Sequence, residues 1–210
     1  KEYLSKIYML NEERNKILLQ EAIELSKVLK KNKIKFKFIK GVDYIFNNIH
    51  KVIGERMIGD IDFLIKKNEI SKIKHLLREN NYVSAFELKL WETKHLPRFT
   101  NPKKLFAIEP HSNVLRLKKN KYISTKKILN GDESDKFDNL LDICILNYQI
   151  NDYGYLRKSY SYKTIYDMFM IIEKMGVEKL NINKNKYYKS FFITTNILGL
   201  TNFKIHLNIF

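Results

Sequence analysis

The seven residues GDIDFLI, Gly59 to Ile65, hold two carboxylates one residue apart in an otherwise apolar run. A short apolar stretch rich in isoleucine and phenylalanine reads as a strand. The strand period of two then places Asp60, Asp62 and Leu64 on one face and Ile61, Phe63 and Ile65 on the other. Two carboxylates on one surface raise each other's pKa unless a cation lies between them, and hard divalent cations such as Mg²⁺ favour oxygen ligands of this kind. A strand whose polar end faces water is the competing reading of an isolated D-x-D.

The flanking pattern supplies the context. Apolar positions from about Asn11 to Lys31 keep to one side of a helix, and KFKFIKG alternates as a short strand that stops at Gly41. A helix from about Val42 to Val52 is expected next, then the Asp60 to Ile65 strand, then a helix from about Glu69 to Asn80. From Tyr82 the stretches YVSAFELKLWE, HLPRF and KLFAIEPHSNVL alternate as sheet and hairpins do. FDNLLDICILNYQI and KTIYDMFMIIEKMG read as helices, the second ending at Gly176, and two further helices are expected near Lys184 to Ile197 and at the C-terminus. The layout is α+β: a core with an N-terminal packing helix over 1–130, followed by a helical region over 131–210. That region would shape a pocket or a dimer surface, and the sequence does not choose.

Composition narrows the partners. The net charge of +16 favours phosphate-bearing ligands, but the lysines are scattered, so it does not choose among nucleotide, RNA and phosphorylated metabolite. No run of about 18 apolar residues could span a bilayer, so a cytoplasmic location is expected, with no membrane partner. The lone Cys144, in LLDICIL, reads as a small buried hydrophobe.

Three features converge on chemistry. Asp60 and Asp62 form the first. Lys40 and Gly41 stand where a strand meets a helix, a junction whose free N–H groups accept phosphate. Glu109 and His111, in AIEPH, share a strand face, which sets a third carboxylate beside an imidazole. Pro110 between them removes a ladder donor and predicts an edge strand or a bulge. Arg56, four residues before Asp60, offers a planar fork for phosphate. Asp167 reads as structural, and Tyr160, Tyr162 and Tyr166 as core packing unless exposed, when they would resemble a base-stacking platform.

FIKGVDYIF, GERMIGDIDFLI and AIEPH together resemble the uncharacterised nucleotidyltransferase family of the DNA polymerase beta-like superfamily. The likeness runs from about Phe36 to Tyr82, reaches Glu109 and His111, and continues more faintly into YKTIYDMFMII. It implies a small mixed sheet with flanking helices and metal-dependent transfer of a nucleotidyl group from an NTP such as ATP, with pyrophosphate release. Asp60, Asp62 and Glu109 would be catalytic and bind Mg²⁺, with Mn²⁺ as the alternative; Glu109 is either a ligand or a general base. Lys40, Gly41, Arg56, Gly59 and His111 would bind the nucleotide. The acceptor is left open among a small metabolite, a sugar, a protein and tRNA, as is the oligomeric state. This chain has Gly41-Val42 where the superfamily often has Gly-Ser, and Gln149 or Asn151 where the family carries a helical histidine. The rival reading is an inactive nucleotide- or RNA-binding module with the same fold; a kinase-like phosphotransferase is a third.

Overall fold

The computed structural model describes residues 2–84, 95–131 and 133–199. The sheet expected within 85–94 and the helix expected at the C-terminus lie outside the described residues. The chain divides after residue 132 into two compact units.

The first unit opens with α1 (Glu2–Lys31). It begins earlier than the expected Asn11 because nothing before Lys31 is glycine or proline and most residues are good helix formers. Then follow β1 (Phe36–Phe38), α2 (Gly41–Phe46), β2 (Asp60–Ile65), α3 (Ile70–Glu79), β3 (Val83–Ser84), β4 (Phe99–Thr100), β5 (Ala107–His111) and α4 (Thr125–Asn130). Helix α2 ends well before the expected Val52. The Asn47 N–H closes on the Asp43 carbonyl at 3.0 Å, and Asn48 turns left-handed at φ 48°, which a continuing helix does not admit.

Among the described residues the sheet is mixed and five-stranded, in the order β1-β2-β5-β4-β3. β2 and β5 are parallel and the other pairs antiparallel. Pro110 therefore lies in an interior strand, which corrects the edge expectation; its lost donor is accommodated by an irregular neighbour. Phe99 faces Ile108 while His95 faces His111, so four steps on one side span three on the other. That mismatch is a bulge, and the Pro110 carbonyl still accepts the Leu96 N–H at 2.8 Å.

One sheet face is apolar. Ile61, Phe63, Ile65 and Ile108 pack with Leu18, Ala22, Leu25 and Leu29 of α1 and with Ile70, Ile73, Leu76 and Leu77 of α3. Helix α1 also holds the loops that lead into both central strands. Asn15 Nδ2 donates to the carbonyls of Ile53 (2.6 Å) and Arg56 (2.8 Å) ahead of β2. The buried Glu21 carboxylate accepts the N–H groups of Leu105 (2.9 Å) and Phe106 (3.2 Å) ahead of β5.

The second unit is helical: α5 (Lys136–Leu146), α6 (Gly154–Arg157), α7 (Tyr162–Met175) and α8 (Lys186–Ile197). Past Leu146 the chain widens into a π-turn over Asn147–Asn151, so the helix expected through Ile150 changes its winding there. Both Gln149 and Asn151 are buried in that turn. Ser161 caps α7, its hydroxyl accepting the Thr164 N–H, and Gly176 ends it at φ 94°. Asp167 is buried, and Cys144 is buried with its thiol donating to the Thr164 carbonyl at 3.6 Å. Tyr160, Tyr162 and Tyr166 are exposed rather than packed in the core, because all three lie on or before the outer side of the first turns of α7. Tyr160 and Tyr162 meet edge to face. No helix among the described residues is long and apolar enough to cross a membrane.

Candidate functional site

The sheet face opposite the apolar core gathers most of the candidate site residues. Parallel pairing sets Asp60 against Ala107, Asp62 against Glu109 and Leu64 against His111. Residues directly opposite point to the same side, so Asp60, Asp62, Glu109 and His111 all face one way. Ligand atoms of Asp62, Glu109 and His111 lie within 4.8 Å of one another. A carboxylate-rich set with one imidazole suits a hard or borderline divalent cation, so these residues fit a metal.

Asp62 is 4% exposed and doubly held. His111 Nε2 lies 2.6 Å and Lys40 Nζ 2.8 Å from the same Oδ1. Burial pushes the Asp62 carboxyl upward, but the His111 hydrogen bond and the Lys40 charge outweigh it and hold the group well below the usual carboxylate range. His111 was expected to touch nucleotide, yet its ring has no exposed surface. Burial pushes it down to about 4, against the pull of Asp62, so it is neutral at pH 7. Its Nε2–H then donates to Asp62, while Nδ1 is buried with no hydrogen-bond partner among the described residues.

Lys40 reaches Asp62 through a backbone bend. It precedes α2 at φ 58°, ψ −132°, a conformation normally left to glycine. The preceding residue keeps that bend in place: the Ile39 N–H donates to the Asp62 carbonyl at 3.1 Å, which ties the end of β1 to β2. Gly41 is buried, and a Cβ there would come within 2.7 Å of Ile58 Cγ2. Close packing against Ile58 thus accounts for this glycine. Gly59 has open space where a Cβ would stand.

Asp60 and Glu109 share a cation absent from the sequence expectations. Arg98 donates from Nη2 to Asp60 Oδ2 at 2.9 Å and from Nε to Glu109 Oε1 at 3.2 Å. It precedes β4, and the pairing of Phe99 with Ile108 brings it beside Glu109. The only sequence signal was a basic residue in HLPRF next to an alternating stretch; its partner depends on a strand pairing made across the sheet. Asp60 itself is raised above the ordinary carboxylate value by burial and then by the Asp62 and Glu109 charges.

Arg56 is placed differently. Its guanidinium lies over the Tyr44 ring at 5.7 Å and donates to the Met57 carbonyl at 2.8 Å. It lines a cavity of about 350 Å³ with Tyr44, His50 and Lys51. The structure therefore brings together Lys40, Asp60, Asp62, Arg98, Glu109 and His111, and sets Arg56 at a cavity wall.

Compared with known protein families, residues 1–139 match one described as an uncharacterised nucleotidyltransferase. The match includes every strand of the sheet and stops short of YKTIYDMFMII in α7. No curated protein matches.

Proposed function

The chain belongs to this uncharacterised nucleotidyltransferase family, and on that premise we propose that it transfers a nucleoside monophosphate from an NTP to a hydroxyl or phosphate acceptor. The observation that carries this reading is the parallel register that aligns Asp62 with Glu109 while Asp60 shares their face. Asp60, Asp62 and Glu109 would hold Mg²⁺, or Mn²⁺, which supplies positive charge to the triphosphate and acidifies the acceptor hydroxyl.

The remaining work falls to side chains. An acceptor oxygen bonds to the α-phosphorus as the bond from that phosphorus to the α,β-bridging oxygen breaks, and pyrophosphate leaves with the electron pair. The acceptor proton passes to a carboxylate, and the half-buried Glu109 is the candidate base where it is not itself a metal ligand. Neutral His111 and Lys40 fix the buried Asp62, so its oxygens need not reorganise during the reaction. ATP is a candidate donor. The acceptor is a small metabolite, a sugar, a protein or tRNA.

The test is calorimetric titration of Mg²⁺ with each NTP into the wild type and an Asp60→Asn, Asp62→Asn variant. Binding is expected only in the wild type, and equal heats reject the proposal. Incubating labelled NTPs with cell extract then identifies the acceptor and reports pyrophosphate. One observation favours the rival, a binding module without turnover: each of the three carboxylates already has a cationic partner. NTP binding without pyrophosphate release, under every acceptor supplied, selects that rival.

A further inference from the structure

The two cations at the acidic face are held in different ways. Lys40 has 24% of its side chain exposed and reaches a carboxylate with 5% of its side chain exposed. The Arg98 side chain is 55% exposed, and it grips two half-buried carboxylates from the bulged segment ahead of β4. Its two hydrogen bonds, to Asp60 Oδ2 and Glu109 Oε1, use oxygens that a divalent cation at this face would also take. A guanidinium and a metal ion compete for such oxygens. The same planar fork that fits two carboxylates fits two phosphate oxygens.

We propose that Arg98 and a divalent cation are alternative occupants of the Asp60 and Glu109 oxygens, and that the guanidinium so displaced grips the triphosphate of the nucleotide. This rests on the metal-dependent reading above. Arg98 thereby couples the two ligands. It opposes metal binding in the absence of nucleotide and supports it when a triphosphate arrives to receive the fork. Its exposure allows the side chain to turn by rotamer change, whereas Lys40, with 24% of its side chain exposed and its ammonium on a buried carboxylate, stays on Asp62. Neither a purely structural pin nor a simple phosphate contact has both effects.

The test measures two affinities in the full chain. Mn²⁺ alone is titrated with detection by electron paramagnetic resonance, and the α,β-methylene analogue of ATP is titrated at saturating Mn²⁺ by calorimetry. Removal of a cation from beside two carboxylates is expected to tighten Mn²⁺ about tenfold in Arg98→Gln, and loss of the fork to weaken the analogue about tenfold. Arg98→Lys keeps the charge without the fork, so its Mn²⁺ affinity stays near that of the wild type while the analogue still weakens. Opposite shifts in Arg98→Gln support the proposal. Equal Mn²⁺ affinity in wild type and Arg98→Gln overturns it and leaves the metal reading standing, and so does a fall in both affinities together. Failure of both proteins to bind Mn²⁺ overturns the metal reading and this proposal with it.

Discussion

Replacing Lys40 by methionine and by glycine separates two costs that the structure joins in one residue. Methionine keeps the aliphatic stem and the strained backbone but removes the ammonium 2.8 Å from Asp62 Oδ1. A buried carboxylate that loses one of two partners costs about 2–4 kcal/mol. Glycine removes the ammonium as well, and the stem, yet it adopts φ 58°, ψ −132° without penalty. Relief of that strain recovers about 2 kcal/mol, of which about 0.7 kcal/mol is returned as extra chain entropy in the unfolded state. Lys40→Gly should therefore be more stable than Lys40→Met by about 1 kcal/mol, although it deletes more of the side chain. Urea unfolding at pH 7.5 reads the difference directly. A glycine variant less stable than the methionine variant refutes the claim that the backbone here is strained to aim the side chain.

Gly41→Ala drives a methyl to within 2.7 Å of Ile58 Cγ2 and should cost about 1–3 kcal/mol by overpacking; a Gly41→Ala, Ile58→Ala double variant should cost less than the sum of the two singles, and additive costs in urea would show that the contact is not the reason for the glycine. His111 is neutral when folded and has its folded pKa at about 4, so an unfolded chain takes the proton first as pH falls. Stability should fall from pH 6.5 towards 4 by roughly 3 kcal/mol more in the wild type than in His111→Gln, and parallel pH profiles of the two would contradict a neutral buried ring. Asp60 pays for its site: burial and the Asp62 and Glu109 charges disfavour its ionised form, whereas its ion pair with the half-exposed Arg98 is worth little. Asp60→Asn should accordingly raise the melting temperature at neutral pH while abolishing transfer, and a lower melting temperature sinks that balance.

Local pattern was enough for some elements and silent on others. Alternation alone placed Asp60 and Asp62 on one face of β2 and Glu109 and His111 on one face of β5, because a strand's period depends on nothing beyond the strand. Helix α3 was readable from its apolar spacing and α7 from its apolar residues and the Gly176 that ends it. The early stop of α2 was not, since Asn48 in a left-handed conformation looks like any polar helix residue in sequence. Pro110 pointed correctly to a bulge but wrongly to an edge, for the irregularity sits on the neighbouring segment at 95–99. Arg98 escaped notice for the same reason. Its role comes from a pairing between β4 and β5, and nothing within HLPRF specifies that partner.

Helix α1 contributes no side chain to the acidic face, yet it determines how well that face is built. Asn15 holds the loop before β2 and Glu21 holds the loop before β5, six residues apart on one buried side of the helix. Those two loops deliver the strands whose mutual register sets Asp62 against Glu109. Both contacts join a buried side chain to backbone through part-buried or buried hydrogen bonds, so losing either leaves unpaired polar groups as well as a loose strand entry. A shift of one residue between β2 and β5 would turn the carboxylates to opposite faces. Polar residues on the packing side of a helix are costly, and these two are spent on holding in register the strands that carry the three carboxylates.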